Sequence, residues 1–201
     1  MTLIFYEELH EYVLDGVSVP SVSELMEPLR SREYQDIPYD VLEKAAERGT
    51  AVHSATERID KNEAFEFPEE WFGYLEAYRG FLREHEVEWT ATEKPMGSRK
   101  YGYAGTVDRI GKIDGALALL DIKTTSKIHD KLVIPQLTFY NLLAEENGFP
   151  GIERFFILQL KKDGVYRLRE YKANPVVALS LLWIYDFVND RKGESANNGF
   201  I

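Results

Sequence analysis

The sequence predicts an α+β (mixed α/β) domain in which a central β-sheet is flanked by helices. Three Asp-Gly dipeptides, at 15–16, 114–115 and 163–164, each separate two runs of β character, and Asp-Gly is a preferred two-residue hairpin turn. Apolar residues recur at helical spacing over 40–60 and 69–85. Because 201 residues are enough to bury one hydrophobic core, we expect a single domain over 1–201.

The composition is that of an ordinary globular protein, with 44% hydrophobic and 29% charged residues. Cysteine is absent, which excludes disulfides and zinc-thiolate sites. No apolar run approaches the roughly 20 residues that span a bilayer, and the N-terminus lacks the pattern of a secretory signal. We therefore expect a cytoplasmic protein with no membrane contact. The net charge of −10 argues against a polyanionic partner without excluding one, because carboxylates gathered around a cation add to the same total.

The first third of the chain predicts a hairpin and a short helix. Residues 3–19 form the hairpin, with its turn at Asp15-Gly16. The segment "PSVSELMEPL" follows and predicts the helix, with Ser21 or Ser23 as N-cap.

The middle of the chain predicts two longer helices and the strands that follow them. The first helix runs from Asp40, which we expect to be its N-cap, to about Asp60. A helix rich in aromatic residues covers 69–85, a strand covers 87–93, and a hairpin covers 105–125.

The last third predicts a helix, a hairpin and a closing helix. Proline suits the first turn of a helix, so we expect a helix to begin near Pro135 and to end before Gly148. A hairpin follows, made of "IERFFILQL" and "VYRLREY". The closing helix begins at Asn174-Pro175 and runs to about Asp190, and we expect the tail, 193–201, to be frayed.

The hairpin "GTVDRIGKIDGALALLDIKTT" contains an apparent conflict of charge. If residues 114–115 form its turn, Asp108 lies opposite Asp121 and Thr106 lies opposite Lys123. Side chains alternate along a strand, so Asp121 and Lys123 share a face. Two opposed carboxylates, with Cβ atoms roughly 4.5–5.5 Å apart, destabilise a sheet.

Two explanations of this charged face are open from the hairpin alone. It could be a solvated face on which Lys123 bridges Asp121, or it could be a metal site in which a divalent cation turns carboxylate repulsion into coordination. The run "ALALLDI" is apolar on both faces, as in a central strand where unpaired charge is costly. This favours the metal site, with oxygen ligands suited to Mg²⁺ or Mn²⁺.

Four motifs in this part of the chain resemble the PD-(D/E)XK nuclease superfamily, in its RecB-like and phage-type exonuclease branch. They are "GTVD" ending at Asp108, "DIK" at 121–123, an upstream helical His53 in "RGTAVHSATE", and Gln136 with Tyr140 in "PQLTFY". The proline of the family name is missing. The four motifs stand in the family's order, and the resemblance implies a restriction-endonuclease-like fold.

The resemblance also implies a role for each of these residues. Asp108, Asp121 and the backbone carbonyl of Ile122 would be metal ligands, with His53 as a further ligand. Lys123 would be the catalytic lysine. Gln136 and Tyr140 would orient the lysine or contact the backbone of the substrate.

Three further assignments are less specific. Glu93 matches a carboxylate often seen at the end of the preceding strand in the family, but a surface glutamate beside Lys94 explains it equally well. Glu57 shares the helix face of His53 and could support it, although a solvated charge is the simpler account. Gly49, one turn before His53, would let the helix approach the sheet closely.

Further side chains could contact nucleic acid. Basic groups near the predicted site could hold a strand, and Tyr101 and Tyr103 could stack on bases, although packing against the sheet is an alternative use for these rings. The basic groups are Arg99, Lys100, Lys127, Lys131, Lys161 and Lys162.

The implied activity is Mg²⁺- or Mn²⁺-dependent hydrolysis of phosphodiester bonds in DNA. An exonuclease is expected, acting on DNA with free ends in recombination, repair or replication, with a homo-oligomer or a recombination protein as a further partner. The alternatives are a catalytically silent nuclease fold that binds DNA or a protein, and a metal-dependent hydrolase with another substrate.

Overall fold

The computed structural model describes residues 1–6 and 9–191, and within them the strands form two sheets. The larger sheet has the order β4-β5-β6-β7-β8. Its strands are β4 (Val87–Ser98), β5 (Tyr103–Ile113), β6 (Ala116–Lys123), β7 (Arg154–Leu160) and β8 (Tyr166–Tyr171). The smaller sheet is a meander of β1 (Leu3–Tyr6), β2 (Glu11–Leu14) and β3 (Val17–Val19).

The helices begin with α1 and α2 after the small sheet and end with α6 at the C-terminal side of β8. Their bounds are α1 (Val22–Leu25), α2 (Glu27–Tyr34), α3 (Tyr39–Asp60), α4 (Phe72–Glu84), α5 (Asp130–Glu146) and α6 (Pro175–Val188). A short 3-10 helix, Glu69–Trp71, precedes α4. None of the helices in the described part of the chain has both the length and the hydrophobicity that a bilayer crossing requires.

The large sheet is mixed, which matches the predicted fold class. Every neighbouring pair of its strands is antiparallel except β6 and β7, which are parallel. Parallel neighbours need a crossover connection, and α5 provides it. Helices cover both faces of the sheet, with α1, α5 and α6 on one face and α3 and α4 on the other.

Strand β6 lies at the centre of the sheet and is buried on both faces. Leu119 belongs to the core shared with α1, α5 and α6, whereas Leu120 and Ile122 belong to the core shared with α3 and α4. This confirms the prediction that "ALALLDI" is a central strand.

The turns and several helix ends lie where the sequence predicts them. Asp114 and Gly115 have φ values of 51° and 84°, as the favoured two-residue hairpin turn requires. Ser21 caps α1: its hydroxyl accepts from the backbone N–H of Glu24, and the Glu24 carboxylate accepts from the backbone N–H of Ser21. Asn174 likewise caps α6.

Two helix starts differ from the prediction. α3 begins at Tyr39, so Asp40 lies in its first turn instead of capping it. α5 begins at Asp130, which puts Pro135 inside the helix. A proline there removes one backbone hydrogen bond, but Leu132 and Val133 in the preceding turn are buried in the core and hold that turn in place.

Other differences concern the sheets and the end of the chain. Residues 3–19 contain three strands instead of a two-stranded hairpin, and the strand predicted over 87–93 extends to Ser98. The tail, 193–201, lies outside the described residues.

Gly49 is not a point of close contact between α3 and the sheet, although its position one turn before His53 predicted one. A Cβ built there meets no atom within 4 Å, whereas a Cβ at Gly73, in the first turn of α4, would lie 1.8 Å from the carbonyl oxygen of Lys162. The close contact between a helix and the sheet region is thus at Gly73.

Alanine substitutions at these two glycines should have opposite effects on stability. Gly49→Ala should raise the free energy of unfolding by about 0.5–1 kcal/mol, because alanine is the better residue in a helix. Gly73→Ala should lower it by about 1–3 kcal/mol, because the methyl group overlaps a backbone oxygen. Urea denaturation measures both, and a destabilised Gly49→Ala variant would contradict the open surroundings of Gly49.

Candidate active site

Asp108 lies at a gap in both hydrogen-bonded ladders of β5. On the β6 side the predicted register is present from Ile113–Ala116 to Arg109–Leu120, and the ladder ends there. On the β4 side the pairs Thr92–Arg109 and Lys94–Val107 flank Asp108, but no pair joins it to Glu93. The ladder therefore extends to neither predicted pair, Asp108 with Asp121 or Thr106 with Lys123, and the sheet opens at the acidic residues.

The side chain of Asp108 replaces the missing ladder bond. Its Oδ2 accepts a hydrogen bond of 2.7 Å from the backbone N–H of Ile122. Glu93 opposite has a left-handed backbone with φ of 42°, a conformation that is strained for a residue other than glycine. Glu93 and Asp108 thus face each other at the gap between β4 and β5, and the Asp108 side chain reaches the backbone of β6 next to Asp121.

His53, on α3, contacts this acidic group. Its Nδ1 lies 3.2 Å from Glu93 Oε1 and 3.4 Å from Asp108 Oδ2, and its Nε2 lies 3.1 Å from the carbonyl oxygen of Ile122. One ligand atom each from His53, Glu93 and Asp108 falls within 4.8 Å of the others. Burial by itself would lower the pKa of His53, but Asp108, Glu93 and Asp121 together raise it to about 9. The local potential thus strongly favours a cation.

Asp121 and Lys123 form the other part of the site. Lys123 Nζ lies 2.7 Å from Asp121 Oδ2, so the two side chains form an ion pair. Apart from this lysine, the buried oxygen has no partner among the described residues. Burial raises the pKa of Asp121 to about 6, an effect that Lys123 opposes and Asp108 reinforces.

The donor set fits a hard divalent cation. It combines the carboxylates of Glu93 and Asp108 with the imidazole of His53. The Ile122 carbonyl oxygen lies next to His53, and Asp121 lies beside them in an ion pair with Lys123. Mg²⁺ and Mn²⁺ prefer oxygen ligands of this kind. The residues that the sequence assigned to a metal therefore lie close to one another. Glu93 is among them, and it is not the surface glutamate that was the alternative.

Gln136 and Tyr140 lie together on α5. Gln136 Nε2 is 3.3 Å from Tyr140 Oη, and Gln136 lines a cavity of about 180 Å³ together with Lys123. A Cβ at Gly105 would lie 3.1 Å from the ring of Tyr140. The glycine of "GTVD" thus leaves room for this tyrosine beside the strand of Asp108.

Several other candidates lie away from the acidic cluster. Glu57 contacts Lys61 at 2.7 Å and Thr92 at 3.4 Å. Tyr103 is fully buried and donates a hydrogen bond to the carbonyl oxygen of Phe139, so it packs in the core and does not stack on bases. Among the six basic residues named above, Lys127 lines the cavity with Lys123, and Arg99 binds Asp15.

Sequence reasoning missed a buried arginine beneath the cluster. Arg109 donates to Asp60 at 2.7 Å, to Glu93 and to the carbonyl oxygen of Asp108 at 2.8 Å each, and to Thr56 at 3.0 Å. It is completely buried. The sequence carried one signal of this burial: Arg109 is a charged residue next to Asp108 in a strand whose neighbouring positions are mostly apolar.

A second buried contact holds the other end of this network. Tyr78, on α4, donates to both carboxylate oxygens of Asp60, at 2.7 and 2.9 Å. Asp60 is the last residue of α3, so the network ties the end of that helix to the strands that carry the acidic cluster.

Comparison with known proteins identifies the superfamily of this chain. A family model described as PD-(D/E)XK nuclease superfamily matches residues 66–180, which is more than half of the chain. The chain belongs to the PD-(D/E)XK nuclease superfamily. His53 precedes the matched region, so its place in this nuclease-superfamily site rests on the contacts given above.

Solved structures similar to this PD-(D/E)XK chain include two with low sequence identity. One, from Eubacterium rectale, is described as a candidate exonuclease; it is 17% identical, has a TM-score of 0.47, and the match covers 73% of this chain and 65% of that one. The other is LHK-Exo in complex with dAMP, at 12% identity, a TM-score of 0.38, and 89% and 90% coverage. The chain thus spans less than two thirds of the first structure. No curated protein matches it.

Removal of the buried arginine should be far more damaging than removal of an exposed one. Arg109→Met leaves Asp60 and Glu93 without their cation, and we expect a loss of about 3–5 kcal/mol in the free energy of unfolding. Arg154→Met, which breaks an exposed pair with Glu170, should cost at most about 1 kcal/mol. Chemical denaturation compares the two variants, and equal losses would contradict the role given to Arg109.

Two glutamates test the composition of the metal site. Glu93→Gln should weaken Mn²⁺ binding by about 10–100-fold or more, as changes close to a bound metal commonly do. Glu57→Gln should leave it unchanged, because Glu57 lies outside the cluster. Isothermal titration calorimetry measures both affinities, and circular dichroism without metal verifies that the variants are folded. Unchanged Mn²⁺ binding by Glu93→Gln would exclude Glu93 as a ligand.

Proposed function

We propose that this domain is a metal-dependent deoxyribonuclease that hydrolyses phosphodiester bonds, with Mg²⁺ or Mn²⁺ as its cation. The observation that carries the proposal is the gap at Asp108, where carboxylates from β4 and β5 meet His53 and where Asp121 of β6 pairs with Lys123. Membership of a nuclease superfamily supports DNA as the substrate.

His53, Glu93, Asp108, Asp121 and the carbonyl oxygen of Ile122 would hold the cation. When bound, a divalent cation supplies Lewis-acid chemistry and lowers the pKa of water. The chain fixes the orientation of the carboxylates that would bind the cation. The Ile122 N–H fixes one oxygen of Asp108, and Arg109 fixes one oxygen of Glu93, so the carboxylates are oriented before any ligand arrives.

Lys123 is the residue to which we assign direct contact with the reacting groups. Its ammonium group lies at the junction of the acidic cluster and the cavity lined by Gln136. From there it can donate hydrogen bonds to a phosphate oxygen or to the attacking water, and it can offset negative charge that develops on the phosphate. Gln136, hydrogen-bonded to Tyr140, would orient the lysine or contact the backbone of the substrate.

The biological setting is part of the same proposal. We infer an exonuclease of phage type that acts on free DNA ends in recombination, repair or replication, in the cytoplasm, with residues 1–201 forming one nuclease domain. A homo-oligomer or a recombination protein would be its partner. The single- or double-strand preference and the polarity of cleavage are outcomes of the assay below.

Substitution of Lys123 tests the enzyme against a silent binding module. Lys123→Ala should reduce cleavage of linear DNA with Mg²⁺ or Mn²⁺ by about 10²–10⁴-fold, the usual range for a lost proton donor or acceptor. Lys112→Ala is the matched control, because Lys112 is exposed on β5 outside the acidic cluster, and it should retain wild-type activity. Calorimetry of Mn²⁺ binding separates loss of catalysis from loss of the metal.

The choice of DNA substrate decides the finer assignment. Linear and covalently closed circular DNA, each single- and double-stranded, are digested by the wild-type protein. Cleavage of linear but not closed circular DNA supports an exonuclease, whereas cleavage of both indicates an endonuclease. If the wild-type protein binds metal but cuts none of these substrates, the deoxyribonuclease proposal is wrong.

A further inference from the structure

Helix α6 is apolar around its whole circumference, which is unusual for a helix at the surface of a single domain. Its sequence, PVVALSLLWIYDFV, contains one charged residue, Asp186. A helix of this kind is expected to be buried on all sides. In α6 only one side is buried, where Ala178, Leu181 and Leu182 pack into the core shared with α5.

The outer side of α6 forms a continuous apolar stripe. It covers about 140° of arc at 100° per residue and ends in large side chains that are strongly exposed: 53% for Trp183, 86% for Phe187 and 70% for Val188. We call this surface the α6 stripe; its members are Val176, Val177, Ser180, Trp183, Ile184, Phe187 and Val188.

The stripe itself carries one polar side chain, and its hydrogen bond is made within the helix. The hydroxyl of Ser180 donates to the carbonyl oxygen of Val176 at 2.7 Å. The one charged residue of α6, Asp186, lies outside the stripe, and its mostly buried side chain forms an ion pair with Arg191 at 3.2 Å. The stripe therefore presents no charged group to a partner.

We propose that the α6 stripe is the interface between two copies of this chain, paired with their α6 helices antiparallel. A two-fold interface brings the same patch of both copies together, and an uncharged stripe meets itself without opposing like charges. With the two-fold axis midway between Ser180 and Ile184, Ile184 of one copy is level with Ser180 of the other, and Val188 is level with Val176. Large side chains then lie next to small ones.

Size and charge both favour a second copy as the occupant. Two aromatic and four aliphatic side chains of these exposures present on the order of 500 Å² of apolar surface. A pair of stripes would bury about 1,000 Å², the lower bound for a specific interface. Because each copy carries a net charge of −10, two copies repel one another, and the uncharged stripe is where their approach is least opposed.

A membrane is a poorer occupant for the same stripe. Helices that lie on a bilayer usually carry lysine or arginine on their polar side, and α6 carries neither within Pro175–Val188. An acidic protein is also repelled by anionic lipids. The stripe lies on the face of the sheet opposite α3, the helix that carries His53.

Analytical ultracentrifugation of the intact chain tests the proposal. The wild-type protein should be dimeric at micromolar concentrations, and added salt should tighten the dimer, because salt screens the repulsion between acidic copies. Phe187→Asp should weaken the dimer by about 30-fold or more, with its melting temperature as a monomer unchanged. Tyr39→Asp, which changes an exposed aromatic residue on another helix, should remain dimeric.

Each of the other results would overturn the proposal. If the wild-type chain is monomeric at these concentrations, the stripe does not bind a second copy. If the Phe187→Asp variant remains dimeric, the dimer forms through another surface. Binding to vesicles of neutral lipid by the wild type, lost in Phe187→Asp, would assign the stripe to a membrane instead.

The antiparallel arrangement has its own test, because the chain contains no cysteine. Single-cysteine variants Val176→Cys and Val188→Cys are each treated with a short bismaleimide, alone and after mixing. Antiparallel pairing predicts efficient cross-linking only in the mixture, where the two positions are level with each other. Efficient cross-linking of either variant by itself would show a parallel arrangement and contradict the proposed two-fold axis.

Discussion

The placement of three carboxylates on adjacent strands, two of them buried and that of Glu93 partly buried, is the constraint on which the rest of this structure depends. Glu93, Asp108 and Asp121 occupy adjacent strands, and their mutual repulsion in a buried setting must be balanced. The chain places positive groups on several sides: Arg109 below Glu93, Lys123 beside Asp121 and His53 on α3. The missing ladder pairs at Asp108 are part of the same solution, because they let a backbone N–H of β6 bind a carboxylate.

Much of this arrangement could be predicted from the sequence, because local rules decide it. The turn at 114–115 fixes the register of the hairpin, and that register brings the side chain of Asp108 to the backbone of β6 next to Asp121. Gln136 and Tyr140 are four residues apart, and this spacing places them next to each other on one face of α5. The position of Glu93 could not be decided, because its left-handed backbone and its contact with His53 depend on residues 40 positions away.

The features that escaped prediction are those set by tertiary packing. Pro135 usually marks the first turn of a helix, but burial of the preceding residues carries α5 back to Asp130. Arg109 was not among the predicted site residues, because no local rule shows that Asp60, 49 positions earlier, will meet it at the end of α3. Gly49 resembled a contact point, whereas Gly73 is the glycine that touches a neighbouring backbone.

The buried Arg109 network makes α3 and the acidic cluster a single cooperative unit. Because Arg109 joins the last residue of α3 to Glu93 and to the backbone of Asp108, local opening of the helix end would also release a predicted metal ligand. A cation that binds the cluster only when α3 is closed therefore stabilises the closed state of α3 relative to the locally opened state. Amide hydrogen exchange in α3 would therefore slow as the cation concentration rises, far beyond the few residues that touch the ion.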